Sequence, residues 1–300
     1  MRKNVLLYTV ALIFTCLTSL THIAGKEAVS TLSPWVVGFG RFMIGAIVMW
    51  VIMRLLRRTI TVERSDRWRF FTLAFLAVPL NQLSFLVGVQ YTPASHPALL
   101  YATTPAWVLL FTLWLGMERL RWWKWLGISL SILGVLVLMG GEIFTFQKET
   151  AFADAVLLLA VLSWSLYTTL GKPIVERYGA LETTFMIIVM GALMYFPFGL
   201  VAAVTADYSG ATYSAWLGML YMGIFTSAVC YYLWYWLLER IRPSQVAVTT
   251  CGQPPITALF VWLIFGTVPS GNLWLSGGLV LAGVVLTVGY GGPKRGMLKH

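Results

Sequence analysis

Polar side chains are scarce inside the apolar runs of this sequence, and those present recur at helical spacing. Asn81 and Gln82 follow Pro79, and Asn81, Ser84 and Gly88 fall on one helical face. Tyr101, Thr104 and Pro105 share a second face, and Trp164, Tyr167 and Thr168 a third. Thr249-Thr250 precede Gln253-Pro254-Pro255, with Thr257 one turn on. An amide or hydroxyl left unpaired deep in hydrocarbon is costly, so each group needs a partner, and a bound solute can supply one. Asn81, Gln82, Tyr101, Thr104, Trp164, Tyr167, Thr250 and Gln253 are therefore the candidates to line a substrate cavity. The run Tyr231, Tyr232, Trp234 and Tyr235 adds aromatic wall, suited to planar solutes such as aromatic amino acids or to organic cations. Pro105 and Pro255 each remove a backbone donor and displace the carbonyl four residues earlier. Both mark a helix kink, at a cavity or at a packing contact.

The ionisable residues divide by place. Arg41 lies within an apolar run, where an unpaired charge costs about 2.5–3.5 kcal/mol if central; it either grips a substrate carboxylate or pins backbone carbonyls. His22 and His96 sit near run ends and read as hydrogen-bonded, with a proton-linked role as the alternative. Glu118 adjoins Arg119 and Arg121, which suggests a structural pair, and Asp154 suits a neighbouring helix end. No carboxylate falls at mid-run to mark proton coupling. Cys16, Cys230 and Cys251 occupy separate apolar runs without a CxxC spacing, so neither a disulfide nor a metal site is expected, and nothing calls for a cofactor. No GxxxxGK[ST] loop is present for primary active transport. An intramembrane enzyme has only weak support: Ser209-Gly210 lacks a GxSG frame, and His22 with Glu27 is a loose HxxxxD with the wrong acid.

The elements that must hold these residues follow from composition. Of 300 residues, 59% are hydrophobic and 11% charged, with a mean hydropathy of +0.79. A soluble globule carries about 25% charged residues, so this is an all-α integral membrane protein in a lipid bilayer. A spanning helix needs about 20 apolar residues. Ten such runs occur, near 4–24, 34–55, 68–90, 94–115, 122–140, 154–171, 180–204, 213–236, 244–266 and 272–290. The start Met1-Arg2-Lys3-Asn4 imitates a signal peptide, but no small-x-small cleavage site follows, and an uncleaved first helix is expected. With the N-terminus in the cytoplasm, 18 of the 21 Lys and Arg residues fall inside, Lys26 and Lys148 fall outside, and Arg41 lies within the second run. That asymmetry predicts an N-in, C-in orientation. It also makes the basic charge an orientation signal rather than a nucleic-acid surface. Trp122, Trp123 and Trp125, beside Arg121 and Lys124, read as interfacial anchors.

The halves repeat. At an offset of 146, Gly25-Lys26 meets Gly171-Lys172 and Gly45-Ala46 meets Gly191-Ala192; at 150, Pro93 meets Pro243, Pro105 meets Pro255 and Gly116 meets Gly266. Residues 1–145 and 146–300 thus form two repeats of five runs each. An odd number of spans turns the second copy over, giving inverted five-helix repeats, an architecture used for alternating access about a midplane site. Small residues recur in runs five and ten, Gly127, Ser131 and Gly134 against Gly278, Ala282 and Gly283. They allow close helix approach within the chain or across a homodimer.

Taken together, Trp164-Ser165-Leu166-Tyr167, Ala98-Leu99-Leu100 through Pro105 to Glu118, Arg41 and Asp154 resemble the ten-span EamA-type members of the drug/metabolite transporter superfamily. The resemblance covers essentially the whole chain. Thr18 stands where the family's first-run Trp is usual, and Val268 where a Glu is expected. The resemblance implies a secondary transporter of the inner membrane that exports a small-molecule substrate such as an amino acid, with multidrug or organic-cation efflux as the alternative.

Overall fold

The computed structural model describes residues 2–92, 95–119, 121–139, 151–266 and 273–289. Pro93, Lys148, Val268, Lys294, Arg295 and Lys299 lie outside these, as do the side chains of Arg2, Lys3, His96, Ala98 and Leu99. Among the described residues every regular element is helical. The order is α1 (Arg2–Thr31), α2 (Pro34–Leu55), α3 (Arg67–Phe75), α4 (Asn81–Tyr91), α5 (Ser95–Ala102), α6 (Thr104–Trp114) and α7 (Trp122–Met139). Then come α8 (Ala151–Tyr178), α9 (Ala180–Thr205), α10 (Tyr213–Tyr221), α11 (Tyr231–Arg240), α12 (Pro243–Val248), α13 (Gln253–Phe265) and α14 (Leu273–Gly289).

Local chemistry sets the ends. Ser33 Oγ accepts the Val36 N–H at 3.3 Å, and Pro34 opens α2. Thr212 caps α10 through the Ala215 N–H at 3.3 Å. Gly266, at φ 69°, closes α13 in the left-handed region that favours glycine. Among the described residues, seven continuous stretches are long and apolar enough to cross a membrane, and Leu100–Trp114 and Trp274–Thr287 are shorter apolar helices. Several helices outrun their apolar windows: α1 continues to Thr31 and α8 runs from Ala151 to Tyr178. Hydropathy marks only the part in hydrocarbon, whereas polar ends persist where they find partners. Arg177 and Tyr178 do so at Asp66, 2.6 and 2.8 Å away, and Asp66 also accepts from Arg69 at 3.1 Å.

Four irregularities govern the centre of the fold. Between α3 and α4 the chain makes a π turn, Leu76–Leu80, around Pro79; between α10 and α11 a longer π segment spans Met222–Cys230. Such wide turns arise where a helix takes up an extra residue or loses a donor. Carbonyls of the first turn are bonded from distant helices: Leu76 O accepts from Ser163 Oγ at 2.7 Å, and Ala77 O from the Tyr231 hydroxyl at 2.9 Å. The other two irregularities are breaks in the α-helical bonding pattern without loss of the helical course, at Thr103 between α5 and α6 and at the 3₁₀ turn Thr249–Gly252 between α12 and α13. Pro105 and Pro255 follow these irregularities directly. They stand in the first turns of α6 and α13, where a missing N–H costs nothing. The two breaks face each other: Thr250 Oγ1 donates to Tyr101 O at 3.5 Å and Cys251 Sγ to Ala102 O at 3.4 Å.

Helix α2 lies against α9, α7 against α14, α4 against α8, and α1 against α10. In the α7–α14 seam a Cβ on Gly127 would stand 2.8 Å from Gly283 O, and one on Gly134 2.8 Å from Ser276 O. This small-residue face packs within the chain. Gly278 has open space around it and Ala282 is exposed, so neither belongs to the seam. Glu118 forms its buried ion pair with Lys124, rather than with Arg119 or Arg121. Its carboxylate also accepts the Ser244 N–H at 3.1 Å and the Ser244 hydroxyl at 2.7 Å, joining the end of α6 to the start of α12.

Candidate functional site

Where the π turns and breaks converge, the helices line a partly open cavity of about 70 Å³. Its walls come from α1, α4, α5, α8, the Met222–Cys230 segment, α11, the 3₁₀ turn and α13. Asn81, Gln82, Tyr101, Trp164, Thr250 and Gln253 all line it. Thr104 and Tyr167 do not. Thr104 is fully enclosed beside the α5–α6 break, and Tyr167 is fully buried with its ring 5.0 Å from that of Trp164. Helical periodicity places a residue on a face; only the neighbouring helices determine how much of that face meets open space.

One polar chain forms much of the wall. Arg41, fully buried on α2, donates from Nη1 to Gln82 Oε1 at 2.7 Å and from Nε to Ser227 Oγ at 3.1 Å. The Gln82 amide donates to Asn81 Oδ1. Asn81 Nδ2 then donates to the Tyr101 hydroxyl at 3.0 Å and to Ala160 O at 2.7 Å. Arg41 thus bonds side chains rather than backbone carbonyls, and its guanidinium lies 4.8 Å from the centre of the Phe42 ring. Its Nη2 is buried and has no hydrogen-bond partner among the described residues. Among the described residues no Asp or Glu forms an ion pair with it.

Across the cavity, His22 Nε2 bonds Gln253 Oε1 at 3.0 Å, and the Thr21 and Thr226 hydroxyls meet at 2.7 Å. His22 is thus engaged with Gln253 while Glu27 accepts from Ser214 at 2.5 Å, so the loose His22–Glu27 acyltransferase pairing is not assembled. An aromatic block closes another side. Trp164 packs edge-on to Tyr231 at 5.4 Å and tilted against Trp234 at 5.2 Å, with Phe14 5.1 Å from Trp234. Such offset and edge contacts are the preferred aromatic geometries and make a stiff wall.

Phe14, Thr21, Phe85 and Thr226 also line the cavity and were not singled out by sequence reasoning. The signal for α1 was present in Thr15, Thr18, Ser19 and His22, a hydroxyl-rich stripe at helical spacing. Its hydroxyls now bond across to the 3₁₀ break: Thr15 to Thr249 O at 3.4 Å and Ser19 to Gln253 O at 3.2 Å.

A multi-pass membrane protein whose interrupted helices surround a polar and aromatic cavity has the construction of a transporter. The chain belongs to the EamA-like transporter family, whose sequence model matches residues 5–140 and 151–289. It is similar to the transporter YoaV of Bacillus subtilis, 22% identical over 269 residues covering 89% of this chain and 91% of the relative. It is also similar to a transporter of Archaeoglobus fulgidus, 26% identical with 87% and 90% covered. A third relative, named a probable terminal-alkyne amino-acid exporter, from Streptantibioticus cattleyicolor, is 30% identical over 204 residues, 66% of this chain and 65% of its own. A solved crystal structure superposes with a TM-score of 0.76 at 19% identity, covering 95% of this chain and 96% of that one, and so shares the fold. The chain is accordingly a transporter of the cell membrane rather than an enzyme.

Proposed function

We propose that this protein is a secondary transporter that exports a small metabolite, an amino acid foremost, by alternating access. The observation carrying this reading is that both halves of the chain wall one cavity, each through a broken helix. Residues 1–145 and 146–300 form two inverted five-helix repeats, ten spans in all, with both termini in the cytoplasm. Three features support that division. Each half places a π turn in its third element and a break in its fourth. Contacts also survive exchange of the halves: α1 on the Met222–Cys230 segment and α13 mirrors α8 on the Leu76–Leu80 turn and α6, while α2 on α9 and α7 on α14 map onto themselves. The family match likewise falls in two stretches of similar length. Rocking of one half against the other exposes Asn81, Gln82, Tyr101, Trp164, Thr250 and Gln253 to either side in turn.

The relative named a probable amino-acid exporter favours an amino acid as cargo. The aromatic block of Trp164, Tyr231 and Phe14 favours the second reading, efflux of organic cations. Counterflow in proteoliposomes decides between them, with a labelled aromatic amino acid and other amino acids and organic cations as competitors. Saturable exchange competed by amino acids is the expected result. Exchange competed only by cations favours the second reading, and flux that never saturates defeats both.

A further inference from the structure

We propose that the cavity recognises its cargo through a carboxylate, which docks at Tyr101 under the uncompensated positive charge of Arg41. This rests on the transport reading and narrows its substrate class.

The donor directions along the wall are fixed at both ends. A guanidinium can only donate, so the Gln82 group facing Arg41 at 2.7 Å must be the amide oxygen. The Gln82 nitrogen then points to Asn81 and donates to its oxygen. At the far end the Ala160 carbonyl can only accept, so the Asn81 group 2.7 Å away must be the nitrogen. Neither amide can be flipped without setting donor against donor or acceptor against acceptor. Asn81 Nδ2 therefore donates to the Tyr101 oxygen at 3.0 Å, and the Tyr101 hydrogen remains to be offered to the cavity that Tyr101 lines.

The same chain carries charge. Arg41 is fully buried, keeps one nitrogen without a partner and has no acid paired with it among the described residues. The residues lining the cavity include no Asp, Glu, Lys or Arg. A buried cation whose field is not cancelled favours an anionic ligand, and successive polarised bonds strengthen the terminal donor. A carboxylate accepting from Tyr101 supplies the missing negative charge; an organic cation at the same place adds to the positive one. Trp164, Tyr231, Phe14 and Phe85 then take the rest of the molecule, including an ammonium group lying over a ring face.

The test uses the full-length protein in lipid nanodiscs and equilibrium binding of labelled L-phenylalanine. The competitors are 3-phenylpropionate, which keeps the carboxylate alone, and phenethylamine, which keeps the ammonium alone. The expected result is that 3-phenylpropionate competes at least about tenfold more strongly, the worth of one hydrogen bond to a charged group. Tyr101→Phe, which removes the hydroxyl that donates to the cargo and accepts from Asn81, should erase most of that preference while lowering the melting temperature only by the few degrees that one buried hydrogen bond is worth. Gln82→Glu, which sets a carboxylate against Arg41, should weaken 3-phenylpropionate and spare phenethylamine. Phenethylamine competing as well as the acid, Tyr101→Phe keeping the full preference, or no binding of either carboxylate overturns the proposal. Counterflow of a cationic dye such as ethidium then separates the two failures: where it persists, transport stands and only carboxylate recognition falls.

Discussion

Glu118 and Lys124 offer the sharpest test of how the two halves are tied together. Both side chains are 1% exposed, and Glu118 additionally accepts two hydrogen bonds from Ser244 at the start of α12. Glu118→Ala removes all three interactions and leaves an ammonium buried without a counter-charge. Breaking such a pair costs about 3–5 kcal/mol, because the remaining charge stays desolvated, and the bonds lost at Ser244 add about 1 kcal/mol. Unfolding entropy for a chain of this length converts that total to a melting temperature lower by about 6–10 °C. Lys124→Met is milder, at about 2–3 kcal/mol, since Ser244 still holds the carboxylate. The double change of both residues to Met removes both charges together and should recover most of the loss, because an apolar pair of similar volume is close to neutral. The assay is thermal unfolding in nanodiscs by intrinsic tryptophan fluorescence, arranged as a double-mutant cycle. Single changes each below about 1 kcal/mol that simply add in the double would refute the reasoning and mean that the pair is solvated.

Other consequences can be measured alongside. Gly127→Val forces a side chain into the 2.8 Å gap before Gly283 O and should destabilise the α7–α14 seam by about 1–3 kcal/mol in the same unfolding assay. Trp164→Ala should raise the KM for counterflow about tenfold or more while the protein still inserts, since it strips the aromatic wall; an unchanged KM removes Trp164 from the site. Pro79→Ala restores an N–H to the π turn and should lower the transport rate without lowering the melting temperature. A parallel fall in both would make Pro79 a folding residue only. In a cysteine-free background, Lys26→Cys should react with a membrane-impermeant maleimide on intact cells and Arg119→Cys only after lysis; the reverse pattern defeats the N-in orientation.

The membrane class of this protein was legible in composition, because a surface with so few charges cannot be wetted. The positions of most helices were legible too, since hydropathy is a local property of about 20 consecutive residues. Local reading failed where a residue's state depends on a distant one. Pro105 follows an irregular turn at Thr103 that meets Thr250 and Cys251 from the other half, a contact no local pattern announces. Tyr167 shares a helical face with Trp164, yet only Trp164 reaches the cavity, since Tyr235 packs edge-on 5.2 Å from the Tyr167 ring. Thr21 and Thr226 are unremarkable hydroxyls until folding sets them 2.7 Å apart.

What the sequence determined by itself is that the chain crosses a membrane repeatedly and carries amides, hydroxyls and rings at depths where each needs a partner. Which partner each one takes was decided only by the tertiary structure. Arg41 meets Gln82, His22 meets Gln253, and Asn81 meets Tyr101 and Ala160, each on another helix. Helical periodicity fixes the direction in which a side chain leaves its own axis. The donor, charge or empty space it encounters there belongs to another helix, and that neighbour is chosen by packing over the whole chain.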